Sequence, residues 1–355
     1  MYEESVEKKH SKFKIFAIII LTAGFILSTV LYLSYHSRPN NMISPVAGNK
    51  ITPTEKPLDK YSISALKKKR FLGSDISLDK ILNDTQDFSS YLFYYSSEGK
   101  KVSGVANIPK KEGVYPIIIM FRGYVPQEIY KPGVGTMHGG EVLAQNGFIT
   151  LAPDFLGYGQ SASPSANPME ERFETYTTAL TLISSAPNLN LALNLIPQNK
   201  ITADTNKIGI WGHSNGGHIA LVVLEATGQK IPTVLWAPVS KPFPYSILYY
   251  TDEYDDHGKA LRKLISDFEK DYDVESYSLT NYLDLIQAPI ELHQGGNDDA
   301  VPQEWSDELN QTLKTLNKEI TYFTYANEDH NFANGSWSTV IARSMKFYKD
   351  EFQRR

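Results

Sequence analysis

Five residues, Gly212-His-Ser-Asn-Gly216, join a strand to a helix in this chain. The apolar run Lys207-Ile-Gly-Ile-Trp211 comes directly before them, and Gly217-His-Ile-Ala-Leu-Val-Val-Leu224 directly after. A strand that turns straight into a helix brings the two backbones almost into collision, so a side chain at Gly212 or Gly216 is predicted to clash. The same sharp turn puts Ser214 in a strained conformation with its hydroxyl outward. Gly-x-Ser-x-Gly alone arises by chance in about one chain in ten of this length. The strand-turn-helix setting is what gives it weight.

The remaining sequence supplies a sheet for that turn. Runs of β-branched and aromatic residues at 91–97, 102–108, 116–121, 148–153, 207–212, 233–237, 289–293 and 319–324 read as eight strands. Helical patterns fall at 140–145, 169–185, 217–226, 303–316 and 336–352. Strands that alternate with helices imply a mostly parallel sheet covered on both faces, an α/β architecture. The first two strands lack a helix between them and are expected to pair as a hairpin. Residues 241–287, rich in tyrosine and acidic residues, form an insert expected to cap the site.

A serine hydroxyl attacks poorly until a base takes its proton and an acid orients that base. The chain has no cysteine, so covalent chemistry needs another nucleophile, and Ser214 is the candidate. Gly295-Gly-Asn-Asp298-Asp-Ala-Val-Pro302 follows a strand and puts a carboxylate at its C-terminal end. Asp298 is the expected acid, and Asp299 the competitor, since either aspartate can cap the helix that begins near Pro302. His330 lies between the last strand and the last helix and is the expected base, with His213 and His293 as rivals. Two donors are needed for an oxyanion. The N–H of Asn215, at the start of its helix, is one, and that of Tyr124, in Met120-Phe-Arg-Gly-Tyr124, is the other. Arg122 is expected to brace this second turn.

Four motifs occur in order, each after a predicted strand: Phe121-Arg-Gly-Tyr124, Asp154-Phe-Leu-Gly-Tyr-Gly-Gln-Ser161, the segment from Gly212 to Gly217, and Gly295-x-x-Asp298-x-x-Val301-Pro302. With His330 they make residues 91–355 resemble the prolyl oligopeptidase family of serine peptidases and its acyl-peptide and ester hydrolase relatives. The resemblance implies an α/β-hydrolase fold and acyl transfer through Ser214, Asp298 and His330. The sequence departs from the family pattern in three places. Arg122 stands where a histidine is usual, His293-Gln-Gly295 is one residue longer than the usual His-Gly, and residues 35–87 are too few for an N-terminal β-propeller.

At the other end, residues 15–33 are almost continuously apolar, close to the ~20 needed to cross a bilayer and longer than the core of a cleaved signal. Lys8, Lys9, Lys12 and Lys14 precede the run, and only Arg38 and Lys50 follow soon after. That asymmetry predicts a cytoplasmic N-terminus and an extracytoplasmic catalytic part. The expected organisation is a cytoplasmic tail at 1–14, a membrane helix at 15–34, a stalk at 35–80 and the catalytic domain at 81–355.

A net charge of −5 offers no basic face for nucleic acid. The expected partners are therefore a small-molecule or short-peptide substrate and the lipid bilayer. No metal or organic cofactor is implied, because residues 252–258 lack the alternating acidic spacing of a calcium loop. Three functions compete. A peptidase would use Asp252, Glu253, Asp255 and Asp256 to hold a substrate amine, and a carboxylesterase would use Tyr249, Tyr250 and Tyr254 as a pocket for an apolar or aromatic group. An inactive tethered binding module is the third, and the intact serine, aspartate and histidine argue against it.

Overall fold

The computed structural model describes residues 55–354 apart from Asn199. The apolar run at 15–33 lies outside the described residues. Among those described, no helix is long and apolar enough to cross a membrane.

Each expected strand is present: β2 (Phe88–Ser97), β3 (Lys100–Pro109), β4 (Gly113–Phe121), β5 (Ile149–Pro153), β6 (Ile201–His213), β7 (Thr233–Trp236), β8 (Ile290–Gly295) and β9 (Ile320–Tyr325). An additional one, β1 (Ser77–Asp84), makes the sheet nine-stranded rather than eight, in the order β1-β2-β3-β5-β4-β6-β7-β8-β9. Its signal is weak because it is an exposed edge strand whose residues, Asp79, Lys80, Asn83 and Asp84 among them, are mostly polar. Such a composition guards a free edge against pairing with other chains. β2 and β3 pair antiparallel along their whole length, the expected hairpin. From β5 to β9 the neighbours are parallel.

Among the described residues nine α-helices accompany these strands: α1 (Ile63–Lys68), α2 (Met137–Gln145), α3 (Pro168–Ser185), α4 (Leu189–Leu193), α5 (Asn215–Thr227), α6 (Tyr245–Leu248), α7 (Lys259–Glu269), α8 (Gln303–Thr315) and α9 (Trp337–Gln353). The pleat sends successive side chains to opposite faces, and helices cover both. Ile117, Ile119 and Phe121 enter the core shared with α1, α3 and α5, while Ile118 and Met120 enter the core shared with α2 and α9.

Of the stalk expected at 35–80, residues 35–54 lie outside the described residues, and the part at 55–80 is corrected. Leu58, Tyr61, Ile63 and Leu66 are all buried in the larger core, so the catalytic unit includes residues from 55 onward. A single short turn of helix flanked by prolines and lysines carries too little periodicity to announce this from sequence. The insert at 241–287 has two halves. Phe268, Tyr277, Leu279, Leu283 and Ile286 are buried against the sheet-covering helices, whereas Tyr245, Tyr249 and Tyr254 remain largely exposed.

The order β5-β4-β6 reverses the chain's direction of travel across the sheet at β4. Ligands of open α/β sheets lie at the carboxyl ends of strands beside such a switch point. Phe121 at the end of β4 pairs with Gly212 at the end of β6, so Arg122-Gly-Tyr124 and His213-Ser-Asn215 leave the sheet side by side.

Candidate active site

Ser214 caps α5 with φ 55° and ψ −121°, a positive φ that a residue with a Cβ adopts only under strain. Its surroundings explain the two glycines. A Cβ on Gly216 would lie 1.9 Å from the Phe121 carbonyl oxygen, and one on Gly212 would lie 2.6 Å from the Gly216 carbonyl oxygen. The serine backbone is tied down on both sides. Its N–H donates to the Trp236 carbonyl at 2.9 Å, and its carbonyl accepts from the N–H groups of Gly217 and Val239, both at 3.0 Å.

Asp298, on the loop after β8, receives His330 Nδ1 on its Oδ2 at 2.8 Å. The carboxylate is fully buried and the imidazole is 15% exposed. Its other oxygen accepts the N–H groups of Ala300 at 3.0 Å and Val301 at 2.7 Å. Asp299 is exposed. Gly295 and Gly296 let the acid loop lie directly on the histidine loop, since a Cβ on either would come within 2.6 Å of backbone oxygens of residues 326–329. The buried Glu328 then fixes the histidine loop by accepting the N–H groups of Asn334 at 2.9 Å and Ser336 at 2.7 Å.

Gln294, the additional residue before Gly295, is fully buried, and sequence reasoning gave it no role. Its Nε2 donates to Asp298 Oδ2 at 2.9 Å and to the Val301 carbonyl at 3.0 Å, while its Oε1 accepts from Ser306 Oγ at 2.7 Å. The signal was visible only as the departure in loop length.

The rival bases are otherwise engaged. His213 Nε2 meets the His330 carbonyl oxygen at 2.9 Å, and its ring lies 4.5 Å from the His330 ring. Desolvation, with the neighbouring His330 adding to it, pushes His213 down to about 4, so near neutral pH it is uncharged and Nε2 is the N–H that donates. His293 is buried between Glu291 Oε1 and the Tyr325 hydroxyl, each at 2.9 Å, and burial lowers its pKa as well. Among the described residues, no hydrogen bond joins Ser214 Oγ to His330 Nε2; what sets the imidazole beside the nucleophile turn is the His213 bridge.

Across the switch point, a Cβ on Gly123 would lie 3.0 Å from Ser214 Cβ. The N–H groups of Tyr124 and Asn215 have no acceptor among the described residues. An apolar wall flanks the acid loop, where Trp305 packs with Val239 and Val301 and its ring lies 4.8 Å from that of Tyr249. On the opposite side of His213 is a cleft of about 450 Å³ lined by Trp211, Trp236, Trp337 and His138. In the acidic stretch of the insert, Asp256 caps α7 through the N–H groups of Gly258 and Ala260, both at 2.8 Å, and Asp252 and Asp255 are exposed.

Residues 137–355 match the model of the prolyl oligopeptidase family. The chain belongs to this family. This family member is a serine hydrolase, and the matched span holds Ser214, Gln294, Asp298 and His330. It is 27% identical over 271 residues to the uncharacterized peptidase YtmA of Bacillus subtilis, covering 75% of this chain and 95% of that one. It is 25% identical over 294 residues to dipeptidyl peptidase 4 of Sus scrofa, covering 81% of this chain but only 36% of that much longer protein. Among solved structures, an acetyl xylan esterase from Paenibacillus sp. R4 superimposes with a TM-score of 0.57 at 14% identity, over 82% of this chain and 95% of that one. At that identity the likeness shows the α/β-hydrolase fold alone.

Proposed function

We propose that this family member is a membrane-anchored peptidase acting by acyl transfer, with Ser214 as nucleophile, His330 as general base and acid, and Asp298 as its orienting acid. The observation that carries the reading is the 2.8 Å contact of His330 Nδ1 with a buried carboxylate, on a loop bonded to the residue preceding the strained serine. Asp298 holds the imidazole in the tautomer whose Nε2 is free to take the Ser214 proton. Attack on the substrate carbonyl puts negative charge on its oxygen, and the N–H groups of Tyr124 and Asn215, the latter at the positive end of α5, receive it. His330 then returns the proton to the leaving group, and water releases the acyl group from Ser214.

A carboxylesterase uses the same machinery with a different leaving group. The apolar wall of Val239, Val301, Trp305, Tyr249 and Tyr250 favours that second reading for an apolar or aromatic ester. Membrane attachment rests on the apolar run at 15–33 and the lysines before it.

One labelling experiment tests the proposal. A fluorophosphonate probe applied to fractionated cells is expected to label the wild-type chain in the membrane fraction, to leave Ser214→Ala unlabelled and to label His330→Ala weakly. Equal labelling of Ser214→Ala would refute the nucleophile, and label confined to the soluble fraction would refute the anchor. Parallel turnover of an aminoacyl amide and a short aryl ester by the same protein separates peptidase from esterase.

A further inference from the structure

The turn after β4 contains a buried cation that the acyl-transfer reading leaves without a task. Arg122 is 6% exposed, and its guanidinium carbon lies over three aromatic rings, 4.1 Å from the centroid of Tyr158, 4.6 Å from that of Tyr130 and 5.8 Å from that of Phe155. It forms no ion pair within the described residues. Instead Nη1 donates to the Gly123 carbonyl at 2.9 Å and Nη2 to the Asp154 carbonyl at 3.1 Å, while the buried Nε has no hydrogen-bond partner among the described residues. The nearby Asp154 carboxylate is occupied by Ser103 Oγ at 2.5 Å and the Tyr130 hydroxyl at 2.6 Å.

The carbonyl that Arg122 holds shares a peptide group with the Tyr124 N–H. That peptide is trans, and in a planar trans peptide the C=O and the N–H point in opposite directions. Fixing the Gly123 oxygen inward therefore fixes the Tyr124 N–H outward. Two residues on, the Val125 carbonyl is fixed too, because the Tyr158 hydroxyl donates to it at 3.1 Å. A charged donor on the oxygen also draws electron density from the amide and makes its N–H the stronger donor, an effect that grows where water is excluded.

We propose that Arg122 is a positioning residue that aims and polarises the Gly123–Tyr124 peptide, making the Tyr124 N–H a preorganised oxyanion donor. The aromatic π-faces hold the desolvated cation, and the Asp154 carboxylate attracts it through space without taking a hydrogen bond from it, so its Nη donors go to the two carbonyls. This inference rests on the reading of Tyr124 as an oxyanion donor.

The test uses the full chain and the kinetics of fluorophosphonate inactivation, which need no knowledge of the natural substrate. Arg122→Met is expected to lower the limiting inactivation rate by about 10- to 100-fold, short of the ~10²–10³ for deleting a donor outright. The concentration for half-maximal rate should change little, because the donor acts on charge that develops in the transition state. Tyr124→Pro, which removes the N–H itself, should be slow, and adding Arg122→Met to it should cost nothing more.

A folded Arg122→Met that reacts at the wild-type rate, or that loses the same factor in both backgrounds, overturns the inference. A folded Tyr124→Pro at the wild-type rate overturns the oxyanion reading beneath it. Should the methionine variant not fold, Arg122→Lys decides: it keeps the charge but has a single point donor, so a several-fold slower limiting rate at unchanged melting temperature supports the inference. A wild-type rate in the lysine variant overturns it.

Discussion

Two turns leave the sheet side by side at the switch point, and opposite physics holds them. The turn after β6 is held by exclusion. Gly212 and Gly216 are there because backbone atoms occupy the space a side chain would need. The turn after β4 is held by attraction, through a guanidinium bonded to two carbonyls and packed on tyrosine rings. The buried acids beside them differ in the same sense. Asp154, near the second turn, has two hydroxyl donors, whereas Glu225, on the helix behind the nucleophile, is fully buried with neither oxygen bonded among the described residues. Neither side has every buried polar atom bonded, since Arg122 Nε at the second turn also lacks a partner among the described residues.

The comparison breaks most sharply at Gly216. Gly216→Ala puts a methyl group on a backbone oxygen that cannot move without displacing β4, so a loss of more than ~4 kcal/mol is expected, with no folded protein recovered at ambient temperature. Circular dichroism and thermal melting check this, and a midpoint within a few degrees of wild type would show that exclusion is not what holds the turn.

Glu225 tests the same side in the stabilising direction. Burial pushes its carboxyl well above the usual carboxylate range, so the folded chain must carry the proton there after the unfolded chain has lost it. Wild-type stability is therefore diminished progressively as pH rises from about 4.5 toward the raised folded value, while Glu225→Met lacks that loss. Urea denaturation at pH 8 should find the methionine variant more stable by about 1–3 kcal/mol. The advantage should shrink at pH 5; an equal gap at both pH values would mean that the carboxyl is not protonated in the fold.

The smallest effect sharpens the contrast. Gly123→Ala brings its methyl group 3.0 Å from Ser214 Cβ, a side-chain atom rather than a carbonyl. Stability should change by less than ~1 kcal/mol, while turnover falls several-fold to about tenfold through displacement of the nucleophile or the Tyr124 donor. Paired melts and rates separate the two; a large drop in melting temperature would place this turn with the excluded kind.

The contrast also explains what could be read from the sequence. Exclusion leaves glycines at fixed spacing next to apolar runs, so the strained turn at Ser214, eight of the strands and the loops that bring Asp298 to His330 are legible. β1 is not, because an exposed edge strand has no buried face to impose alternation. The segment containing α1 reads as a stalk in sequence because its buried residues span barely one turn. Attraction leaves no local pattern: Arg122 finds its tyrosine rings 8 and 36 positions away, at Tyr130 and Tyr158. Gln294 is held by groups as far off as Ser306, and only the additional residue before Gly295 betrayed it.

The bond from His213 to the His330 carbonyl has a consequence for how the two loops breathe. Two independent loops drift apart and together at random. Here the residue preceding the serine grips the backbone of the base, so thermal displacement of one loop carries the other with it. Under the proposed mechanism, the gap between Ser214 and His330 would then vary less than the position of either residue, as a common-mode motion cancels between two ends of a tether.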